Sequence, residues 1–386
     1  MGLVHKPHYS GGSIVNLMSS IAAALGCPPR LYPPLEALPP ERLQDARSLV
    51  LLVIDGLGYR YLTEQGQGSD LQRHLMARIT SVFPPTTAAA IPAFFTGVAP
   101  QQHGFTGWFT FFKELGGILA VLPMRPRGGT APVALDPLSL SGVAPLFERL
   151  DAACQMVMPD WIAGSGFNRA YTGATQVRSY HTLEQFFECL EASLEAGPVR
   201  SYVYAYWPEF DTLAHQHGVA SPQVWDHFRA VDEAFGRFLR RARGSGCTLL
   251  VTADHGFIDT DPQHLILLEQ HPDLLETLVL PLTGEPRTAY CFIRPDAVAR
   301  FEGYVRQHLG HAMQLVPSRA LVAQGWFGIG SPHPRLAERV GDYTLMMRDR
   351  FVIRDWILGE RPYDQIGVHG GCSADEMYVP LICVEL

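Results

Sequence analysis

The 386-residue chain has no Cys-x-x-Cys pair and no even set of cysteines. Its seven, Cys27, Cys154, Cys189, Cys247, Cys291, Cys372 and Cys383, are scattered, so neither a disulfide framework nor a thiolate zinc knuckle is indicated. It also lacks a run of lysine and arginine, and the net charge is −8, which argues against a polymeric nucleic-acid partner. Small anionic substrates stay open if a metal supplies the positive charge. No apolar run approaches the roughly 18–20 residues of a membrane span. The first residues, Met-Gly-Leu-Val-His-Lys-Pro-His, carry no charged segment followed by an apolar stretch, and Lys6 breaks the myristoylation pattern. The expected setting is cytoplasmic, with no membrane contact. Internal repeats and low-complexity segments are absent too. What remains is the composition of a globular protein, 47% hydrophobic and 18% charged, with length enough for a large core.

Three strand-like stretches end in chemistry. Ser48–Ile54 is an apolar, β-branched run that stops at Asp55-Gly-Leu-Gly58. Ser201–Trp207 runs into Pro-Glu-Phe-Asp211-Thr-Leu-Ala-His215, and Cys247–Ala253 runs into Asp254-His255-Gly256. Continuous apolar runs read as strands buried on both faces, and α/β sheets place ligands at the carboxyl ends of such strands. Asp211 and His215 stand four apart, so one helical turn can aim both at a single cation. Asp254 and His255 are neighbours, which share a site only in a sharp loop of the kind Gly256 permits. His369, framed by Gly367, Gly370 and Gly371, can bring up another imidazole. Three carboxylates and three imidazoles suit zinc or manganese better than magnesium or calcium.

Taken in order, residues 13–25 predict an amphipathic helix capped by Ser13 and ended by Gly26, followed by a proline-rich stretch, Pro28–Pro40. After Ser81-Val-Phe-Pro-Pro, Thr86 and Thr87 open a small-residue helix running to Gly97, where free N–H groups favour an anion. Capping is the ordinary work of a threonine in that place. Residues 104–150 are rich in glycine, proline and aromatics (Phe105, Trp108, Phe109, Phe111, Phe112) and read as an irregular lid. Ala152–Met158 reads as a further strand, and Thr182–Ala196 and Pro222–Arg243 as amphipathic helices. Residues 260–365 mix short helices (Asp273–Leu278, Asp296–Leu309) with strands (Thr288–Ile293, Tyr343–Met347, Phe351–Asp355), as a compact α+β insertion does. Met377–Glu385 returns as a last core strand. The expected organisation is a catalytic core over 1–259 with its lid, a cap over 260–365, and a return to the core over 366–386.

The order and context of Val53-Ile-Asp-Gly, Phe83-Pro-x-x-Thr87, Thr96-Gly-x-x-Pro-x-x-His103-Gly, Asp211-x-x-x-His215, Thr252-Ala-Asp-His-Gly256 and His369 resemble the alkaline phosphatase superfamily. The match is nearest to its type I phosphodiesterase/nucleotide pyrophosphatase branch, and does not extend to residues 105–200 or 260–365. The resemblance implies an α/β three-layer sandwich with a mostly parallel central sheet and a smaller cap. It implies two divalent metal ions, zinc or alternatively manganese: one held by Asp211, His215 and His369, the other by Asp55, Asp254, His255 and the oxygen of Thr87. Thr87, at the family's threonine, is then the nucleophile of a phosphothreonine course, with Thr86 as the alternative. His103 shapes a turn.

Two departures bear on substrate. Ala89-Ala90 stands where relatives carry Pro-Asn, and Phe105-Thr-Gly-Trp108 replaces the segment whose asparagine contacts a phosphoryl oxygen. The expected reaction is hydrolysis of small phosphodiesters or nucleotides, with Trp108 as a candidate substrate contact. Alternatives are a phosphomonoesterase or phosphonate hydrolase on the same scaffold and, further off, a phosphomutase or a catalytically silent binding protein. A sulfatase is disfavoured, since no Cys/Ser-x-Pro-x-Arg site surrounds Thr87. Arg287 and Lys113 are conceivable phosphate contacts, each more simply read as a solvated surface charge.

Overall fold

The computed structural model describes residues 4–28, 31–194, 200–360 and 365–386. Part of the proline-rich stretch (29–30), the end of the helix expected at 182–196 and part of the cap (361–364) lie outside them. A central sheet takes the order Leu75–Thr80, Tyr378–Glu385, Cys247–Thr252, Ser48–Ile54, Ser201–Trp207, Ala153–Pro159, Gln176–Tyr180. Within it, Tyr378–Glu385 runs antiparallel to both its neighbours, and the other strands share one direction. Ser48–Ile54, Ser201–Trp207 and Cys247–Thr252 are buried at every position. That is the pattern of a sheet covered by helices on both faces, and the three-layer α/β arrangement expected from sequence is present.

Among the described residues, the helices of nine residues or more pack in two groups. Pro222–Arg241 meets Leu183–Leu194, Glu209–His217 and Asp70–Arg73. Its buried stripe is Val224, Phe228, Val231, Phe235 and Phe238, and Ser221 Oγ accepts the Val224 N–H as its cap. In the other group, Ile14–Ala24 packs against Thr87–Thr96. Ser13 caps Ile14–Ala24 as expected, but the helix is not amphipathic, because almost all of it is buried. The turn Pro40–Leu43 and the chain around Tyr9 and Pro33 cover its outer side. Its polar residues survive burial because Asn16 Nδ2 donates to the Tyr9 and Pro33 carbonyls and Ser20 Oγ accepts from Leu35 N–H.

Register sets the site. Ile54 pairs with Trp207 and Val53 with Thr252, so the residues that follow each strand leave the sheet at one edge. Asp55, the Pro208–Asp211 turn and Asp254 therefore emerge side by side.

A second, antiparallel sheet lies over that edge. It takes the order Met313–Pro317, Tyr343–Met347, Thr288–Cys291, Thr283–Glu285, Phe109–Phe112, Gly117–Ala120, Arg125–Pro126. Strands from the stretch read as an irregular lid thus continue the cap, joined where Gly284 pairs with Phe109. The lid strands span four residues or fewer, too short to show a period in sequence. The cap also has its own apolar cluster, including Phe301, Val305, Met313 and Leu345. The helix expected at 296–309 is α-helical over Val298–Tyr304 and widens to a π turn over Val305–Leu309.

Arg287 is not a surface charge. It is 1% exposed, and its Nε and Nη2 donate to the two carboxylate oxygens of Glu376 at 2.9 and 2.8 Å. This bidentate pair ties the cap to the turn that precedes the last core strand. Lys113 is exposed and pairs with Glu338 at 3.1 Å.

Candidate metal and phosphoryl-transfer centre

Each strand end delivers its side chains as the register requires. The Asp55 backbone N–H donates to Trp207 O at 2.9 Å, so the aspartate is held as a continuation of the sheet. The neighbouring Tyr206 hydroxyl donates to Asp55 Oδ2, leaving Oδ1 toward the other candidate ligands. Asp254 Oδ1 accepts the N–H groups of Gly56 and His255, both at 3.0 Å, while Oδ2 is buried with no hydrogen-bond partner among the described residues. Gly256 is needed for close approach: a Cβ there would lie 2.0 Å from the Asp375 carbonyl oxygen. Asp211 and His215 sit on Glu209–His217, with His215 Nε2 at 3.4 Å from Asp211 Oδ1. His369 stacks on His255 with ring centroids 3.7 Å apart.

Thr86 and Thr87 separate cleanly. Thr86 is the N-cap of Thr87–Thr96, yet its side chain makes no capping bond. It donates instead to Glu285 Oε1 at 2.7 Å. Thr87 Oγ1 faces the cluster, 3.0 Å from His255 Nε2 and 3.4 Å from Asp55 Oδ1. His103 lies at a neighbouring turn, its Nδ1 accepting the Phe105 N–H at 3.1 Å.

The donor set fits divalent cations. His215 Nδ1 lies 2.8 Å from Gly367 O and His255 Nδ1 3.1 Å from Gly256 O. Carbonyls only accept, so each Nδ1 carries its proton and each Nε2 presents a lone pair. His255 Nε2 then faces Asp55 Oδ1 at 3.3 Å, Asp254 Oδ2 at 3.4 Å and Asp211 Oδ1 at 3.9 Å. Acceptor meets acceptor in a buried space, an arrangement that a cation relieves. Among the described residues, Asp211 Oδ1 and His369 Nδ1 likewise have no hydrogen-bond partner. Burial, then Asp254 and Asp211, push the Asp55 carboxyl well above its ordinary range, while burial with His255 and His215 beside it drives His369 well below. Two compact groups result, Asp55–Asp254–His255 and Asp211–His255–His369. The second takes His255 where the resemblance implied His215, which stands one step further out against Asp211.

Above the cluster opens a cleft of about 460 Å³, lined by Thr86, Thr87, Asp211, His215 and His369 from the core and by Trp108, Phe109, Glu285 and Trp356 from the cap. Trp108 is 37% exposed at its wall. Arg127 also borders it, but Asp355 and Glu360 neutralise it at 2.8 Å each, and its guanidinium lies 4.6 Å from the Phe109 ring centroid. Burial lifts the Glu285 carboxyl to about 7.

A model of the type I phosphodiesterase / nucleotide pyrophosphatase family matches residues 49–371, a span that takes in residues 105–200 and 260–365, over which the motifs gave no resemblance. The chain belongs to that family. Members hydrolyse phosphoric ester bonds, and this chain is an enzyme of that class. No curated protein matches it. Among solved structures it is similar to murine ectonucleotide pyrophosphatase/phosphodiesterase 5 (ENPP5) in an inactive threonine-to-alanine form in complex with AMP. That likeness has TM-score 0.66 and 15% identity, covering 86% of this chain and 87% of the other. It is also similar to the human protein of that name, with TM-score 0.65, 14% identity and 87% of each chain covered. At such identity the likeness speaks for the fold, including the added cap sheet.

Within this family member, sequence reading found the residues that follow the central strands and Trp108 on the cap wall, and missed other cap residues and a strand-interior tyrosine. Glu285, Arg127 and Trp356 belong to no motif, and Tyr206 looked like one more strand aromatic. A signal existed only for Tyr206, which is one place before the end of a strand that leads to a candidate ligand.

Proposed function

We propose that the chain is a two-metal phosphodiesterase/nucleotide pyrophosphatase that cleaves small phosphodiesters or nucleotides through a phosphothreonine at Thr87. The observation that carries this reading is the place of Thr87 Oγ1, at a helix N-terminus on the cleft floor and within 3.4 Å of both Asp55 and His255. Asp55, Asp254 and His255 would hold one cation and Asp211 and His369 the other, with His215 beside Asp211; zinc suits this donor set and manganese is the second choice. When bound, the cations ease loss of the threonine proton and offset charge on the attacking and leaving oxygens.

The chain's own residues do the rest. Thr87 Oγ attacks phosphorus in line, the bond to the leaving oxygen breaks, and an alcohol or phosphate departs. Water then cleaves the bond between Thr87 and phosphorus, releasing a monophosphate and restoring the hydroxyl. The first-turn N–H groups of Thr87–Thr96 support the negative charge that develops, since no side chain caps them. Trp108 offers an aromatic face to the ester substituent. The direct test is turnover of bis(4-nitrophenyl) phosphate against 4-nitrophenyl phosphate after loading with zinc or manganese, with and without chelator. Faster diester cleavage that chelator removes supports the reading; turnover unaffected by chelator overturns its metal dependence.

A further inference from the structure

Glu285 is a buried acid at the phosphoryl end of the cleft, and the mechanism above gives it no work. It follows Gly284, whose φ of +84° turns the chain, in a cap strand whose partner is Phe109. Two donors reach the carboxylate and both use the same oxygen: Thr86 Oγ1 at 2.7 Å and the Trp108 N–H at 2.6 Å bind Oε1. Among the described residues no donor reaches Oε2. One side of Glu285 is the turn that carries Thr87; the other is the loop that carries His369, where a Cβ on Gly370 would stand 2.9 Å from Glu285 Cβ. The carboxylate is therefore held on the cleft wall by the residue before Thr87, with its Cβ packed on the residue after His369, and among the described residues no cationic side chain pairs with it.

We propose that Glu285 is a specificity-determining residue that sets this site against phosphomonoesters and in favour of phosphodiesters. The inference rests on the phosphoryl-transfer reading above. A diester carries one negative charge whatever the pH, whereas a monoester loses a second proton near pH 6 and presents another anionic oxygen. A carboxylate beside Thr86 and Thr87 repels that extra charge at short range, in a site shielded from water. The same carboxylate accepts the Trp108 N–H, so the residue that discriminates by charge also fixes the aromatic that would meet the ester substituent.

Glu285→Gln isolates the charge, because an amide oxygen still accepts from Thr86 and Trp108. Glu285→Asp keeps the charge on a shorter arm. At pH 8.5, where the carboxyl is ionised, kcat/KM would be measured for bis(4-nitrophenyl) phosphate and for 4-nitrophenyl phosphate on wild type and both variants, each loaded with the same metal. The expected result is that Gln shifts the monoester-to-diester ratio toward the monoester by about tenfold or more, with Asp near wild type. A parallel titration reads binding alone: inorganic phosphate should bind the Gln variant more tightly by a similar factor. An unchanged ratio together with unchanged phosphate affinity overturns the assignment and leaves Glu285 a structural acceptor. Should wild type cleave neither ester, the phosphodiesterase reading fails, and the phosphate titration still decides on Glu285.

Discussion

The molecule holds two antithetical sheets. The central one is almost wholly parallel, and its strands are long, apolar and buried on both faces. The cap sheet is antiparallel, assembled from two distant stretches of chain, and many of its strands are short. They also handle charge in opposite ways. At the central edge, Asp55, Asp211 and Asp254 crowd together and, among the described residues, no arginine or lysine pairs with them. In the cap, buried charges are matched inside the protein: Arg127 with Asp355 and Glu360, Arg339 with Glu114, Arg287 with Glu376. The contrast suggests a division of labour in which the core performs chemistry and the cap builds walls. Glu285 departs from that pattern, a buried cap acid with no cationic partner among the described residues, which is why it carries the inference above.

The strongest break of this comparison is at the core edge. Asp254→Asn should lower metal content, read by elemental analysis, and cut turnover by more than about a hundredfold, the loss that even outer partners of a metal can cause. The fold should persist, since Asn Oδ1 can still accept from Gly56 and His255. Thr87→Ala should be as inactive yet retain its metal. If Thr86→Ala behaves that way instead, the choice of nucleophile is wrong.

The next largest effect concerns stability and falls on the seam between the sheets. Burial alone would raise the Glu376 carboxyl, but Arg287 overrides it and holds the acid below its ordinary range. Arg287→Ala removes that cation and strands the acid in the interior. A cost of about 3–5 kcal/mol is expected from breaking such a pair. Urea titration would read it, and a loss under 1 kcal/mol would mean that cap and core are held by apolar packing alone.

Those two predictions also mark what sequence could and could not tell. The strand ends at Asp55, Asp211 and Asp254 were legible because a buried parallel strand announces itself as an unbroken apolar run, and its carboxyl end is where chemistry belongs. The helix at Pro222–Arg241 was legible through its stripe and its serine cap. Arg287 was misread because nothing near it in sequence predicts Glu376, 89 residues away. The lid was read as irregular because strands of two to four residues have no period, and their pairing with Thr283–Glu285 is a long-range event. Ile14–Ala24 was misjudged because burial of its polar side rests on carbonyls brought in by distant loops. The motifs named the residues that the structure gathers into two groups, yet the sharing of His255 between those groups depends on distances that no spacing encodes.

A smaller effect tests the cap wall. Trp108→Ala should weaken binding of aryl or nucleoside diesters by about 1–3 kcal/mol, the usual worth of a stacked aromatic, and so raise KM with little change in kcat. A fall in kcat at constant KM would assign Trp108 to the reacting centre, moving it from wall to chemistry.

The smallest predicted effect uses pH to compare a buried core histidine with the candidate ligand histidines. Burial drives His103 down to about 3, with Arg339 and His333 nearby adding to the shift and the Ala89 carbonyl opposing it. In the unfolded chain an ordinary histidine takes up its proton near 6.5. Between those values the unfolded state binds one proton more than the folded state, so stability rises with pH across that window. It is complete above about 6.5 and falls away as the solution is acidified toward 3. The slope from this one group is about 1.4 kcal/mol per pH unit. His103→Asn keeps an acceptor for the Phe105 N–H and cannot titrate, so its unfolding free energy between pH 6.5 and 5 should depend less on pH by that slope. Metal-free protein should show the same difference, because His103 is no part of the cluster; a difference seen only with metal bound would tie His103 to the ligands after all.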